Sequence, residues 1–339
     1  MSEGSTEFRQ DEEDAVSATP DSVDAASEAS EAEASSPARR PFWTHDLAQR
    51  LATAAILIPF AIWAIAVGGL FHLAVVMCFG MLAQREFYEL IEDKGAHALK
   101  SVGLGFGAAV MLAAYFGNEY HAMLLMTASL LVMMIAQLRK NEIHESMASI
   151  SGTFFGVFYV AWLLSHAVLL RQFYQGAASH YDPALLAMLH VTPDTGIFLM
   201  MYTLVTIVAC DAGAYFAGRA WGRRPLAPEI SPNKSVEGAL GGIIFGVFWG
   251  LVTKRAFDVF WPDMSAVMPW SVALSFALVL CVVGIIGDLV ESLLKRDAEV
   301  KDTGALLPGM GGVLDRVDAP LLGLPALYYL MLSYLFVQS

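Results

Sequence analysis

Charge is what this sequence has least of. Only 16% of its 339 residues are Asp, Glu, Lys or Arg, against 56% apolar residues, and the mean hydropathy is +0.55. A soluble domain cannot cover its surface with so few charges, so the expected solvent is a bilayer. Cysteine is scarce as well: Cys78, Cys210 and Cys281 stand far apart in apolar runs, without CxxC spacing or nearby His. That argues against a disulfide framework or a zinc site and for thiols acting as small apolar residues. The start of the chain lacks both basic and large apolar residues. Residues 1–38 hold eleven Asp or Glu and one Arg, which is −10 of the net −13. Such a stretch cannot bury enough surface to offset its ordering entropy, and a disordered, solvated acidic tail is expected over 1–44. It has neither the basic start and apolar run of a secretory signal nor the Arg-rich character of a transit peptide.

What the chain has instead is long apolar runs. A membrane helix needs roughly 20 such residues, and nine spans are expected, at about 51–70, 72–91, 101–117, 121–137, 151–170, 196–217, 236–253, 269–290 and 317–337. The third and fourth are the shortest. The expected fold is therefore all-α and polytopic, with a membrane region over 45–190 and a catalytic membrane region over 191–339. No repeat suggests an inverted-repeat transporter. With the N-terminus inside, seventeen of the twenty Lys and Arg fall on the cytoplasmic side, leaving only Arg171, Lys254 and Arg255 opposite. The positive-inside rule thus places the N-terminus and the loops after spans six and eight in the cytoplasm.

Most of the charge at membrane depth lies in the final 130 or so residues, where its cost makes function the default reading. Span six ends with Asp211 inside an apolar run, followed by Arg219. The next loop carries Ser231-Pro-Asn-Lys234-Ser235-Val-Glu237-Gly238. Ser before Pro signals a helix start at Ser231, whose amides, with Lys234 and Ser235, suit a phosphate. In span eight Asp288, Glu291, Ser292 and Lys295 recur at i, i+3, i+4 and i+7 and so share one helix face. Then come Arg296, Lys301, Asp302, the glycines Gly309, Gly311 and Gly312, and Asp315, Arg316 and Asp318 at the mouth of span nine. Asp288, Asp315 and Asp318 are a candidate Mg²⁺ set, because Mg²⁺ takes one or two carboxylates plus substrate phosphates. Carboxylates for a metal, cations for phosphate and an apolar surround for a lipid tail suggest phosphoryl or nucleotidyl transfer to a lipid.

The run from Ser292 through Lys295-Arg296, Lys301-Asp302, Pro308-Gly-Met-Gly311-Gly312 and Asp315-Arg316-Val-Asp318 resembles the signature of the phosphatidate cytidylyltransferases, or CDP-diacylglycerol synthases. Asp211-Ala-Gly-Ala-Tyr-Phe and the Ser231–Gly238 segment are similar to two further blocks of that family. Met310 stands where the family usually has His, Ser235 where Thr is common and Ala212 where Ser or Thr is frequent. The resemblance implies the reaction of CTP with phosphatidate, in an inner or cell membrane, with Mg²⁺ and room for a second cation. It allows for a homodimer and implies no nucleic-acid partner. Asp288, Asp315 and Asp318 would surround the metal, and Lys234, Lys295, Arg296 and Lys301 would meet the phosphates. Asp211 and Glu237 would orient these cations, and the Gly309–Gly312 turn would admit the nucleotide. Ser231, Ser235, Ser292, Asp302 and Arg316 complete the expected binding residues. Other CTP-dependent lipid kinases or transferases, and ion-coupled transporters, remain the alternatives on residues alone.

Overall fold

The computed structural model of the chain describes residues 45–117, 119–139, 145–304, 306 and 311–339. The expected acidic tail, and Gly309 and Met310 of the expected nucleotide turn, lie outside them. In chain order the helices are α1 (His45–Val67), α2 (Gly69–Asp93), α3 (Lys100–Phe116), α4 (Glu119–Leu138) and α5 (Ser146–Arg171), the last with a π-helical turn at Val157–Trp162. The short α6 (Phe173–Ala178) and α7 (Pro183–Met188) lead to α8 (Thr195–Trp221). A two-stranded ribbon, β1 (Pro225–Ala227) with β2 (Ser231–Ser235), precedes α9 (Val236–Phe260), α10 (Pro262–Ser265), α11 (Trp270–Asp297) and α12 (Leu314–Gln338).

An all-α architecture follows from the solvent, since a spanning segment in hydrocarbon must satisfy its backbone internally. Seven of the described helices are long and apolar enough to cross a membrane. The first and third expected spans fall short, being apolar over Ala52–Val67 and Lys100–Phe116. Span four, α4, meets the length despite being one of the shorter runs in sequence.

Large apolar side chains face outward, while several polar side chains are buried inside the bundle. Ile244 and Leu124 are exposed at 73% and 66%, whereas Gln84 is buried and its Nε2 donates to Tyr88 Oη at 2.7 Å and to the Gly103 carbonyl at 2.9 Å. Tyr88 in turn donates to the Thr153 carbonyl at 3.0 Å. Lipid gives helices no hydrophobic reason to associate, so interior hydrogen bonds and close packing must hold them.

Close packing is clearest between α8 and α9. Gly238, Gly242, Gly246 and Gly250 form a ridge at four-residue spacing on α9, facing Gly218, Ala214, Cys210 and Thr206 in antiparallel order on α8. A Cβ at Gly242 would stand 2.7 Å from the Cys210 carbonyl, and one at Gly246 would stand 2.5 Å from Cys281 Sγ. The ridge brings the end of α8, the start of α9 and the side of α11 into contact. All three carry expected site residues there.

One local expectation is corrected. Ser231-Pro232 does not open a helix: Ser231–Ser235 is extended and pairs antiparallel with Pro225–Ala227. The residue before a proline is biased toward extended backbone, and a two-stranded ribbon leaves proline a free edge. The helix starts after Ser235, whose Oγ accepts from the Gly238 amide at 3.0 Å as an N-cap.

Candidate active site

Three carboxylates meet where α11 and α12 come together. Asp288 and Glu291, one turn apart on α11, and Asp318 on α12 each place an oxygen within 4.8 Å of the others. Gly287 makes the approach possible, because a Cβ there would stand 2.9 Å from the Asp318 carbonyl. Two ammonium groups flank the cluster. Lys234 Nζ lies 2.5 Å from Asp288 Oδ2. Lys295 Nζ bridges Glu291 Oε2 at 2.9 Å and Asp315 Oδ1 at 3.0 Å.

Of the expected trio, Asp288 and Asp318 lie in this cluster, and Asp315 adjoins it through Lys295 and Glu291. Asp315 enters α12 one turn before Asp318 and lies against Lys295, two turns past Asp288 on α11. Its oxygens accept from Lys295, from the Gly312 amide at 2.8 Å and from the Thr303 amide at 3.2 Å. Glu291, read in sequence as part of the polar stripe, stands with Asp288 and Asp318. Hard, oxygen-only donors of this kind suit Mg²⁺. Glu291 is 1% exposed, and its Oε1 has no hydrogen-bond partner among the described residues. A buried carboxylate oxygen left so costs free energy unless something binds it, which fits a cation at this spot.

Beside the cluster opens a cavity of about 570 Å³, lined among others by Asp211, Arg219, Asn233, Lys234, Ser235 and Asp288. Ser231 also lines it, from β2. The remaining expected residues fall around this core. Arg296 Nε donates to the Ile230 carbonyl at 3.3 Å and so ties the ribbon segment to α11. Glu237 Oε2 accepts from the backbone amides of Arg223 and Arg224 at 3.0 and 3.1 Å, so it fixes the chain that bears those arginines. Ser292 is half-buried on α11. Lys301 and Asp302 are exposed on the segment between α11 and α12, and Arg316 is exposed on the first turn of α12.

Gly311 has φ +84°, and a Cβ there would stand 2.6 Å from Asp315 Oδ2; one at Gly312 would stand 2.5 Å from Glu86 Oε2. Both glycines make room for the protein's own carboxylates. The Gly312 amide is bonded to Asp315, so it does not serve as a vacant anion nest.

Sequence reasoning missed Glu86. This buried residue of α2 accepts from the Val313 amide at 2.9 Å, the Leu314 amide at 2.8 Å and Thr303 Oγ1 at 3.4 Å. Val313 offers α12 no side-chain cap of its own, so Glu86 satisfies the first free amides of α12 from a distant helix. A second tie, Lys94 to Asp297 at 2.7 Å, joins the same helix to the end of α11. Glu86 stands beside Gln84 and Arg85 and near Glu89, so nothing in the sequence set it apart, and its partners were not visible there.

These features define a helical membrane protein with a carboxylate and ammonium site at the ends of its helices, beside a cavity that carries both charged and apolar groups. The chain belongs to the cytidylyltransferase family, whose model matches residues 48–334. It is 30% identical over 302 residues to the phosphatidate cytidylyltransferase of Synechocystis, covering 86% of this chain and 98% of that protein. Over 136 residues it is 46% identical to the Bacillus subtilis protein of the same name, which is 40% of this chain and 48% of that protein. Over 151 residues it is 40% identical to the one from Haemophilus influenzae, or 44% and 50%. The matched segment thus spans about half the length of the latter two relatives.

Proposed function

We propose that this chain transfers the cytidylyl group of CTP to phosphatidate, releasing pyrophosphate and forming CDP-diacylglycerol, at the cytoplasmic face of the cell membrane. The observation that carries the reading is the Asp288, Glu291 and Asp318 cluster, placed between apolar helices and a cavity lined by Lys234 and Arg219 among apolar groups. A soluble triphosphate and a membrane-bound phosphate must meet at such a boundary.

In the reaction a phosphate oxygen of phosphatidate bonds to the α-phosphorus of CTP, while the bond from that phosphorus to the oxygen bridging to the β-phosphate breaks. The nucleophile is already an anion and needs no strong base. Repulsion between it and the triphosphate is the obstacle. Lys234, at the cavity wall, is placed to neutralise a triphosphate entering there. Lys295 is held toward the cluster by Glu291 and Asp315 together, which spares it reorganisation during the reaction. Asp288, Glu291 and Asp318 would hold Mg²⁺, which when bound supplies charge neutralisation to the departing pyrophosphate. The bias of Lys and Arg supports a cytoplasmic position for this end of the bundle, where CTP is found.

The test is to incubate the purified chain with radiolabelled CTP, phosphatidate and Mg²⁺ and extract the lipid. A lipid-soluble cytidine product is expected; its absence across acyl-chain lengths would sink the reading. For the orientation, a cysteine at Asn233 in a background without Cys78, Cys210 and Cys281 should be labelled from the cytoplasmic side only.

A further inference from the structure

The described wall of the cavity carries two cations, and they are held differently. Lys234 is paired with Asp288 of the carboxylate cluster. Arg219, in the last turn of α8, has one side-chain polar contact among the described residues: its Nη1 donates to the Tyr215 hydroxyl at 3.2 Å. No carboxylate among those residues pairs with its guanidinium. A guanidinium in this state keeps its planar fork of donors available for an anion, and that fork matches two oxygens of a phosphate.

The depth of Arg219 says which phosphate reaches it. α8 has 27 residues, or about 40 Å by helix rise, against a hydrocarbon core of about 30 Å. Its last turn therefore stands at headgroup depth, and Trp221 in that turn is 71% exposed, as aromatic residues at a membrane interface are. Tyr215, one turn before Arg219, belongs to two surfaces: it lines the cavity and is 60% exposed beside the outward-facing Phe216. Leu240, next to the cavity-lining Ala239 on α9, and Ile286, next to Ile285 on α11, face outward too. The cavity is thus rimmed by residues that meet lipid, and a headgroup has a lateral route to Arg219. Asp211, the carboxylate of α8, lies eight residues earlier on the same face, about 12 Å away by helix rise. A phosphate on Arg219 does not stand against it.

We infer that Arg219 receives the phosphate monoester of the lipid substrate at the bilayer edge of the cavity, with the Tyr215 hydroxyl holding the guanidinium in place. The inference rests on the cytidylyl transfer proposed above and divides the two cations between the two substrates, Arg219 for the lipid and Lys234 for the nucleotide.

Arg219→Gln removes the charge and the fork at an exposed position whose only side-chain polar contact is Tyr215, so the fold should be kept, which thermal unfolding in detergent checks. Hydrogen bonds to a charged group are worth about tenfold to a hundredfold in affinity. KM for phosphatidate should rise by that factor and KM for CTP stay within about twofold, with Arg219→Lys between the glutamine variant and the wild type. A second readout needs no turnover: capture of radiolabelled phosphatidate, and separately of radiolabelled phosphatidylglycerol, from phosphatidylcholine mixed micelles by the immobilised full chain, without CTP and with chelator present. The wild type should capture phosphatidate, a phosphate monoester, severalfold better than phosphatidylglycerol, a diester, and Arg219→Gln should lose that preference. An unchanged preference in the variant, a wild type that does not discriminate, or a rise in KM for CTP in place of phosphatidate would overturn the inference. A wild-type chain that made no cytidine lipid would overturn the reaction, and the capture comparison would still decide the role of Arg219.

Discussion

The helix pair α8 and α9 has a lysine and carboxylate pair at either end, and the two are built differently. Near the end of α9 the Lys254 side chain is 5% exposed and pairs with Asp258; its Nζ also donates to the Ser265 carbonyl at 3.1 Å, and Ser265 Oγ donates to Asp258 at 2.6 Å. Every group there has a partner. At the start of α9, ~27 Å away by helix rise, Lys234 and Asp288 are 25% and 34% exposed, border a cavity and adjoin a carboxylate oxygen without a partner. A closed, satisfied pair holds helices in place, whereas an open, half-satisfied cluster waits for a ligand. Arg171, like Lys254 expected opposite the cytoplasm, is also engaged: its Nε donates to the Ile65 carbonyl at 2.6 Å.

The sharpest way to break the comparison is to cut both pairs alike. Lys254→Met leaves the half-buried Asp258 with Ser265 alone as its partner, which should cost about 1–3 kcal/mol of stability. The double change Lys254→Met with Asp258→Leu should recover most of it, with turnover per folded molecule unchanged. Thermal unfolding in detergent beside an activity assay reads both quantities. If Lys254→Met instead abolished turnover in a protein of normal stability, the far end would not be merely structural.

At the open end the expected signs reverse. Asp288→Asn, Glu291→Gln or Asp318→Asn should each lower turnover by about a hundredfold to a thousandfold, as loss of a major electrostatic contributor does. Stability should hold or rise, because crowded carboxylates are relieved. Asp315→Asn should cost less, since Asp315 acts through Lys295 and the Thr303 and Gly312 amides. An Asp315 variant as inactive as the three, with an equally altered Mg²⁺ dependence, would return Asp315 to the metal set.

Much of this contrast was legible from residues. The apolar runs and the stripe of Asp288, Glu291, Ser292 and Lys295 depend only on helix period and are read directly. Which aspartate of α12 joins the stripe depends on how closely two helices pack, and that is decided by Gly287, whose role needs the partner backbone to be seen. Ser231-Pro232 misled because the same dipeptide serves a helix start or an extended strand, and ribbon pairing settled it. Glu86 was invisible for a different reason: its partners are amides at the far end of the sequence, and backbone groups leave no side-chain signature.

Glu86 gives the next effect in size. Glu86→Ala would leave the Val313 and Leu314 amides without an acceptor at about 1–3 kcal/mol, while Glu86→Gln keeps an acceptor oxygen. The alanine variant should lose about tenfold in turnover and become more sensitive to trypsin at Lys301. The glutamine variant should fall between. Normal trypsin resistance in an inactive alanine variant would mean that Glu86 touches the chemistry itself.

The smallest expected effect tests a residue with two candidate jobs. Ser235 was read in sequence as a phosphate ligand, but its Oγ accepts from the Gly238 amide at 3.0 Å while also lining the cavity. An N-cap serine is worth roughly 1 kcal/mol. If capping is its whole role, Ser235→Ala should lower the unfolding temperature slightly and turnover only a few-fold, with KM for CTP unchanged. Ser235→Thr, which keeps the hydroxyl, should match the wild type. Ser235→Asp offers a finer distinction, because a carboxylate caps a helix as well as a hydroxyl does but repels a triphosphate. A stable Ser235→Asp variant with near-normal KM for CTP would place the nucleotide away from the start of α9 and leave Lys234 to meet it alone. A stable variant with KM raised more than tenfold would put the triphosphate beside the cap, on the cavity side of the cluster.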